Sequence, residues 1–267
     1  MKIIFFTCAT GPYDGFIQDI RGMVPDGLEC YYLHDEHLKS EATEDKGWKY
    51  INLDTVEGCP KHYGLKQRFG RLLSHRHFSD ADMTIYFDNK WILNSIFFTT
   101  IFEYAKNSPF DCVVPRHPEQ RSLIEELMFA FKRGTWGYEE TLGIANKIKK
   151  YGLSSNKFIS TLTLFLLRKN TPQVNRANEK WYWYLKNTYE KEVRDQPFFP
   201  YSGMPFTLVD DIMHSMCVDF GCEFRYEPTG RRLPEKLTKQ LDIKKGGKLL
   251  TELNLLFIPV AANVNSI

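Results

Sequence analysis

The chain has 267 residues, which is long enough for one large domain or two small ones around a sizeable hydrophobic core. Its 35 lysines and arginines nearly balance 33 aspartates and glutamates, so no overall electrostatic field would attract nucleic acid. Aromatic residues make up 15% of the chain, and we expect most of them to fill the core.

The cysteines are scattered, without the close pairs that are typical of zinc sites or redox motifs. We interpret them as reduced thiols of a cytosolic protein. The apolar start of the chain, residues 1–9, is too short for a signal peptide and predicts a first strand instead. No stretch has the roughly 18 apolar residues that a membrane span needs. The six cysteines are Cys8, Cys30, Cys59, Cys112, Cys217 and Cys222.

Strands dominate the first part of the chain, and they are separated by loops and one helix. Strands are predicted at residues 2–7, 28–33, 49–53 and 83–87, and an amphipathic helix at 63–77. A helix at 96–106 and a strand at 111–115 follow. This order favours an α/β fold with a mostly parallel sheet.

The second half is expected to be mainly helical. Ser122 and Glu125 form a capping box that begins a helix ending near Arg133, and Gly152 ends the next helix, 138–151. Residues 158–167 are interpreted as a buried strand and 179–193 as an aromatic-rich helix. Asp195 is suited to be the N-cap of a further helix.

The strand 83–87 ends in Asp88, Asn89 and Lys90, which are suited to hold a substrate phosphate or a metal. Ligands of open α/β sheets bind beyond the carboxyl ends of the strands. Thr7 ends the first strand, and Tyr13 and Asp14 lie in the loop that leaves its carboxyl end. All three are expected beside Asp88 if the two strands are parallel neighbours. The alternative is a strand followed by an ordinary Asx turn.

An Asp-x-Asp pair, Asp80 and Asp82, precedes the same strand and resembles the metal-binding pair of many sugar-transferring enzymes. We reject it, because both aspartates would lie at the amino end of the strand, away from the expected site.

A second polar cluster follows the strand 111–115. Arg116, His117 and Arg121 combine a strand end with a helix amino terminus, which suits an anionic group. A solvated loop before a capped helix is the alternative.

The chain resembles a family of glycosyltransferase-like domains that is known from plant mucilage-related and turgor-regulation proteins and from bacterial and viral polysaccharide loci. The resemblance spans roughly residues 3 to 200. The matching positions are Thr7, Gly11, Tyr13, Asp14, Lys66, Asp88, Arg116-His117, Arg121-Ser122, Glu125-Glu126, Tyr151-Gly152-Leu153, Arg168, Trp181, Trp183 and Arg194-Asp195-Gln196.

The resemblance implies a GT-A-like fold over residues 1–205, with a nucleotide-binding part at 1–115 and an acceptor part at 116–205. Residues 206–267 would be a C-terminal extension packed on this domain. The family pattern assigns the nucleoside to Thr7, Tyr13 and Asp14, the diphosphate to Lys66 and Arg121, a divalent metal or the donor to Asp88, and the reacting carbon to Asp195.

We therefore expect a cytoplasmic hexosyl- or pentosyltransferase that moves a sugar from a nucleotide donor, preferably UDP-linked, to a glycan or lipid-linked acceptor. Asn89 and Arg116 complete the donor site. Mn²⁺ or Mg²⁺ on Asp88, with His214 as a second ligand, would neutralise the diphosphate, and Lys66 with Arg121 would do so if no metal binds. Asp195 is the expected general base of an inverting reaction, ahead of Asp211 and Glu125. A nucleotide-sugar-binding or scaffolding protein without turnover is the alternative.

The last part of the chain joins a basic patch, residues 231–248, to an apolar run at 253–262. Together, residues 231–262 could contact an anionic membrane surface peripherally. A last strand and a solvated loop form the alternative.

Overall fold

The computed structural model describes residues 1–11, 16–39, 41–117, 122–153, 161, 164–188, 194, 196–209, 221–224 and 243–257. The chain divides into two compact units. One comprises Met1–Glu119 and Thr161–Gly230, and the other Gln120–Ser160 and Arg231–Ile267.

The described strands of the first unit form a seven-stranded sheet and a separate two-stranded one. The order in the large sheet is β3-β2-β1-β4-β7-β6-β8, and β5 pairs with β9 in the small sheet. The strands are β1 (Ile3–Cys8), β2 (Leu28–His34), β3 (Lys49–Asn52), β4 (Met83–Phe87), β5 (Trp91–Ile92), β6 (Cys112–Pro115), β7 (Phe165–Lys169), β8 (Phe206–Val209) and β9 (Glu223–Phe224).

The large sheet is mostly parallel. Strand β7 alone among its described strands runs against its neighbours β4 and β6, whereas the other pairings are parallel. The carboxyl ends of β1, β2, β3, β4, β6 and β8 therefore meet at one edge. This confirms the predicted α/β class with a mostly parallel central sheet flanked by helices.

Helices cover both faces of this sheet: α1 (Tyr63–Leu72), α2 (Ser74–His77), α3 (Ser95–Asn107) and α6 (Pro172–Thr188). Side chains alternate between the faces of a strand. Phe5 packs against Phe97 and Phe98 of α3, whereas Cys8, on the opposite face of β1, lies against Gly70 of α1.

The second unit contains three described helices, α4 (Leu123–Lys132), α5 (Tyr138–Lys150) and α7 (Ile243–Phe257), which pack against one another. The predicted capping box is present: the Ser122 hydroxyl accepts from the Glu125 amide, and the Glu125 carboxylate accepts from the Ser122 amide. Gly152 follows α5 at a φ of 69°, as predicted for a helix C-terminus.

Three predicted elements were wrong in their bounds. The helix expected at 63–77 is interrupted at Leu73, where the backbone (φ −93°, ψ 34°) leaves the helical region. The strand expected at 158–167 is Phe165–Lys169 in its described part, and the helix expected from residue 179 begins at Pro172. Asn170 lies between these two elements; it donates hydrogen bonds to the carbonyls of Ala81 and Asp82, just before β4, and accepts one from the Asn175 side chain of α6.

The expectation of a last strand at the apolar tail was also wrong for its described part. Leu253 to Phe257 are helical and belong to α7, in which Leu249 and Leu253 are buried one turn apart. This four-residue spacing suits one face of a helix, and tertiary packing decides between helix and strand for such short apolar runs. No helix among the described residues is long and apolar enough to cross a membrane.

Candidate functional site

The candidate site lies at the carboxyl edge of the large sheet, where β1 and β4 are hydrogen-bonded parallel neighbours. Phe6 pairs with Tyr86, so Thr7 and Asp88 leave the ends of adjacent strands. Thr7 was expected beside Asp88 if their strands were parallel neighbours, and β1 and β4 are. Both residues line the same pocket.

The pocket is small and partly open to solvent, with a cavity volume of about 20 Å³, which is room for about one water molecule, and its walls are mainly aromatic. Polar groups come from Thr7, Gln18, Asp88 and Asn89. Flat rings with few polar groups between them suit a planar heterocycle or a sugar ring. The aromatic and aliphatic lining consists of Phe5, Phe16, Tyr32, Trp48, Phe87, Trp91 and Leu93.

The Thr7 hydroxyl is the polar atom of this pocket that points most directly to a ligand. Its Oγ1 is buried and has no hydrogen-bond partner among the described residues, and the whole residue is 4% exposed. An unsatisfied buried hydroxyl costs about 1–3 kcal/mol. A polar group in the pocket would recover this cost.

The strand-end corner is held in place by its own backbone. The Asp88 carboxylate accepts from the Lys90 amide at 3.2 Å, and the Asp88 amide donates to the Leu164 carbonyl at 2.9 Å. The Asx turn that was the alternative interpretation of this corner is therefore present. Asn89 donates from Nδ2 to the Tyr32 hydroxyl at 3.4 Å.

Gln18 fixes the far wall of the pocket. Its side-chain amide pairs with the backbone of Leu93, donating to the carbonyl at 2.6 Å and accepting from the amide at 2.8 Å. The backbone carbonyl of Gln18 accepts a hydrogen bond from the Trp48 indole at 2.7 Å. These bonds give the aromatic walls a defined position before any ligand binds.

Lys66, a predicted diphosphate contact, lies in a cluster of carboxylates. Its ammonium forms a short hydrogen bond with Asp54 and lies 3.8 Å from Asp35 Oδ2. Burial alone would raise the pKa of Asp54, but the hydrogen bonds from Lys66 and from the Glu36 amide lower it overall. Asp35 was not predicted as a site residue. It directly follows β2 at the same sheet edge, just as Asp88 directly follows β4.

Arg116 follows β6 at the same edge, and its amide donates to the Val209 carbonyl at 2.9 Å. Since β7 alone separates β6 from β4, the Arg116 and Asp88 backbones lie two strand spacings, or about 10 Å, apart. The rejected aspartates lie at the opposite edge, where the Asp82 carboxylate accepts from the Lys2 amide at 2.6 Å. Tyr13, Asp14, Arg121, Asp195, Asp211 and His214 lie outside the described residues.

The described residues do not fit a divalent metal. Within the described ranges, no three His, Cys, Asp or Glu side chains are grouped as ligands, and Asp88 supplies a single carboxylate to the corner. Mg²⁺ and Mn²⁺ prefer several oxygen ligands. The described cysteines are free thiols, and Cys217 lies outside the described residues.

No protein-family model matches the chain, and no curated protein matches it. Among solved structures, it is similar to mouse xyloside xylosyltransferase 1, with a TM-score of 0.45, 9% identity, and coverage of 77% of this chain and 84% of that one. A second is the galactosyltransferase LgtC in complex with donor and acceptor sugar analogs (TM-score 0.47, 9% identity, 93% and 95% coverage). A third is the bifunctional glycosyltransferase WbbM (TM-score 0.48, 7% identity, 78% and 38% coverage).

At these identities and TM-scores, the similarities carry no conclusion about the chemistry of this chain.

Proposed function

We propose that the protein is a glycosyltransferase that binds a nucleotide-sugar donor in the aromatic pocket at the ends of β1 and β4. The observation that carries this proposal is the combination of aromatic walls with the unpartnered Thr7 hydroxyl in one pocket. Stacking of a base on an aromatic ring contributes about 1–3 kcal/mol and tolerates any base. A hydroxyl at the floor adds a directional contact.

In this proposal the base lies among the rings, and Thr7, Asp88 and Asn89 contact the nucleoside, together with Tyr13 and Asp14. We assign the diphosphate to Arg116 and Arg121. A guanidinium suits this task because it binds phosphate oxygens in a bidentate manner. A UDP-linked donor is the preferred substrate.

Transfer requires that an acceptor hydroxyl attack the anomeric carbon while the bond to the nucleoside diphosphate breaks. The proton of the hydroxyl goes to a carboxylate, for which we assign Asp195, and the configuration at the anomeric carbon is inverted. Arg116 and Arg121 stabilise the negative charge of the departing diphosphate. The acceptor is a glycan or a lipid-linked sugar, and the donor sugar is a hexose or a pentose.

A lipid-linked acceptor would bring the protein to a membrane surface through residues 231–262. This part of the proposal is supported by α7, on which Leu250 and Leu255 are exposed and Lys245 and Lys248 lie in the first turns. Sedimentation with vesicles of phosphatidylcholine containing phosphatidylserine tests it. Binding that falls when Lys239 and Lys248 are replaced by Glu supports the contact, and equal partitioning of both proteins excludes it.

The donor site is tested by calorimetric titration of UDP-, GDP- and dTDP-sugars into wild type and Asp88→Ala, with and without Mn²⁺. We expect one donor class to bind wild type at least about tenfold more tightly than the variant. A gain in affinity with Mn²⁺ that Asp88→Ala abolishes would assign Asp88 to a metal.

A transfer assay with Asp195→Asn tests the base. Near-normal transfer by this variant would contradict the role of Asp195. Donor binding by the wild type without transfer or hydrolysis under any metal would favour the binding or scaffolding protein instead.

A further inference from the structure

We infer that Asp35 and Lys66 form a buried clamp that positions the end of β1 for donor binding, an inference that rests on the function proposed above. In this role Lys66 acts by holding the Asp35 carboxylate and does not contact a phosphate.

The clamp holds the backbone that leaves β1. Asp35 Oδ2 accepts from the Gly11 amide at 2.8 Å, and the Thr10 hydroxyl donates to the Tyr63 carbonyl at 2.8 Å. Gly11 has a φ of 75°, and a Cβ there would approach the Tyr63 ring to 2.9 Å. Residues 10 and 11 are thus fixed between the end of β2 and the start of α1, four residues beyond Thr7.

Asp35 needs a counter-charge because its side chain is only 1% exposed. The Lys66 ammonium supplies one from 3.8 Å, the His37 amide donates to Oδ1 at 3.2 Å, and His37 Nδ1 lies 3.3 Å from Oδ2. Lys66 is itself 7% exposed and also pairs with Asp54. A buried carboxylate that loses its cation is strongly destabilised, so the geometry of Gly11 depends on Lys66.

The clamp and a phosphate contact by Lys66 predict different UDP binding for the double variant in which both side chains are neutral. In either case Lys66→Met leaves the buried Asp35 carboxylate without its ammonium partner, beside a His37 imidazole that is cationic only when protonated. Adding Asp35→Asn removes that charge, and the Asn carbonyl still accepts from the Gly11 amide. If Lys66 acts by holding Asp35, the double variant recovers, whereas a lost phosphate contact cannot be recovered in this way.

The experiment is a double-mutant cycle of Asp35→Asn and Lys66→Met, measured by urea unfolding and by calorimetric titration of UDP. We expect Lys66→Met to weaken UDP binding at least about tenfold and the double variant to return to within about threefold of wild type. Glu29→Gln and Lys49→Met, an exposed pair joined at 2.7 Å, form the matched control cycle. The control should show little coupling.

Recovery of stability without recovery of UDP binding would overturn the clamp and assign Lys66 to the ligand. Additive effects on unfolding would also overturn it, because the two side chains would then act independently. If Lys66→Met does not fold but the double variant does, that recovery itself supports the clamp, and UDP binding is compared between the double variant and wild type; failure of both to fold would overturn it. If wild type binds no UDP, the function proposed above fails, but the unfolding cycle still tests the clamp.

Discussion

Arg168 in β7 donates a 2.7 Å hydrogen bond to the carbonyl of Arg71 in the last turn of α1. The same guanidinium donates to the Leu72 carbonyl at 3.1 Å, and it reaches Ser74 and Asn178 as well. It therefore caps the C-terminus of α1, where the helix dipole is negative and carbonyls lack partners. Burial lowers the pKa of Arg168 to about 10, which leaves it charged at neutral pH.

Replacing Arg168 should lower the free energy of unfolding rather than act directly on catalysis. Arg168→Met leaves the carbonyls of α1 and the Asn178 side chain without their donor, and we expect a loss of about 3 kcal/mol in the free energy of unfolding. Urea unfolding measures it. The exposed Arg76, which pairs with Glu179, provides the control, and Arg76→Met should cost less than about 1 kcal/mol. Equal losses in the two variants would contradict the capping role.

Gly70 allows α1 to approach the sheet closely. A Cβ at this position would lie 2.9 Å from Leu53 Cδ1 and 3.0 Å from Cys8 Sγ. Gly70→Ala should therefore cost about 1–2 kcal/mol, despite the better helix propensity of alanine. Gly143 in α5 is the matched control, since a Cβ there meets nothing within 4 Å and Gly143→Ala should stabilise by about 0.5–1 kcal/mol. Thermal unfolding of both variants tests whether Gly70→Ala lowers stability and Gly143→Ala raises it.

Stability should fall on acidification between about pH 6.5 and 4 through His77. Burial, with smaller contributions from His75 and Arg76, lowers the pKa of His77 to about 4. Between that value and the ordinary pKa of 6.5 the unfolded chain binds the extra proton, so stability increases with pH in this range and is complete above it.

The test compares wild type with His77→Phe in urea at pH 7 and 4.5. The shift predicts that acidification costs wild type about 2 kcal/mol more than the variant. Parallel pH dependence of the two proteins would show that His77 does not titrate in this way.

The strands and their order along the chain were predictable because each is a short apolar run closed by turn residues. Met83–Phe87 has the predicted bounds, and Asp88 and Thr7 share a pocket as expected once β1 and β4 are parallel neighbours. The pairing partners of the strands in the sheet could not be predicted from the sequence. The antiparallel pairing of β7 with β4 joins residues about 80 apart in sequence, and the hydrogen bonds of Arg168 to the end of α1 and to Ser74 join residues about 95 apart.

The candidate site was predictable at its strand ends and not at its walls. Trp48, Phe16 and Gln18 come from loops whose sequence carries no periodic signal, and the Gln18 bonds to Leu93 join residues 75 apart. Lys66 was found through the family resemblance, but its partners Asp35 and Asp54 appear only when β2, β3 and α1 are brought together.

The central claim, a donor pocket built on the ends of β1 and β4, is tested most directly by calorimetric titration of UDP-sugars into wild type and Thr7→Val. The hydroxyl has no partner among the described residues, so the substitution should leave the unfolding midpoint equal or higher. We predict donor affinity that is about five- to twentyfold weaker in Thr7→Val and unchanged in Thr100→Val, which alters an exposed residue of α3. Equal affinity of wild type and Thr7→Val, or binding of no donor by the wild type, would contradict the account.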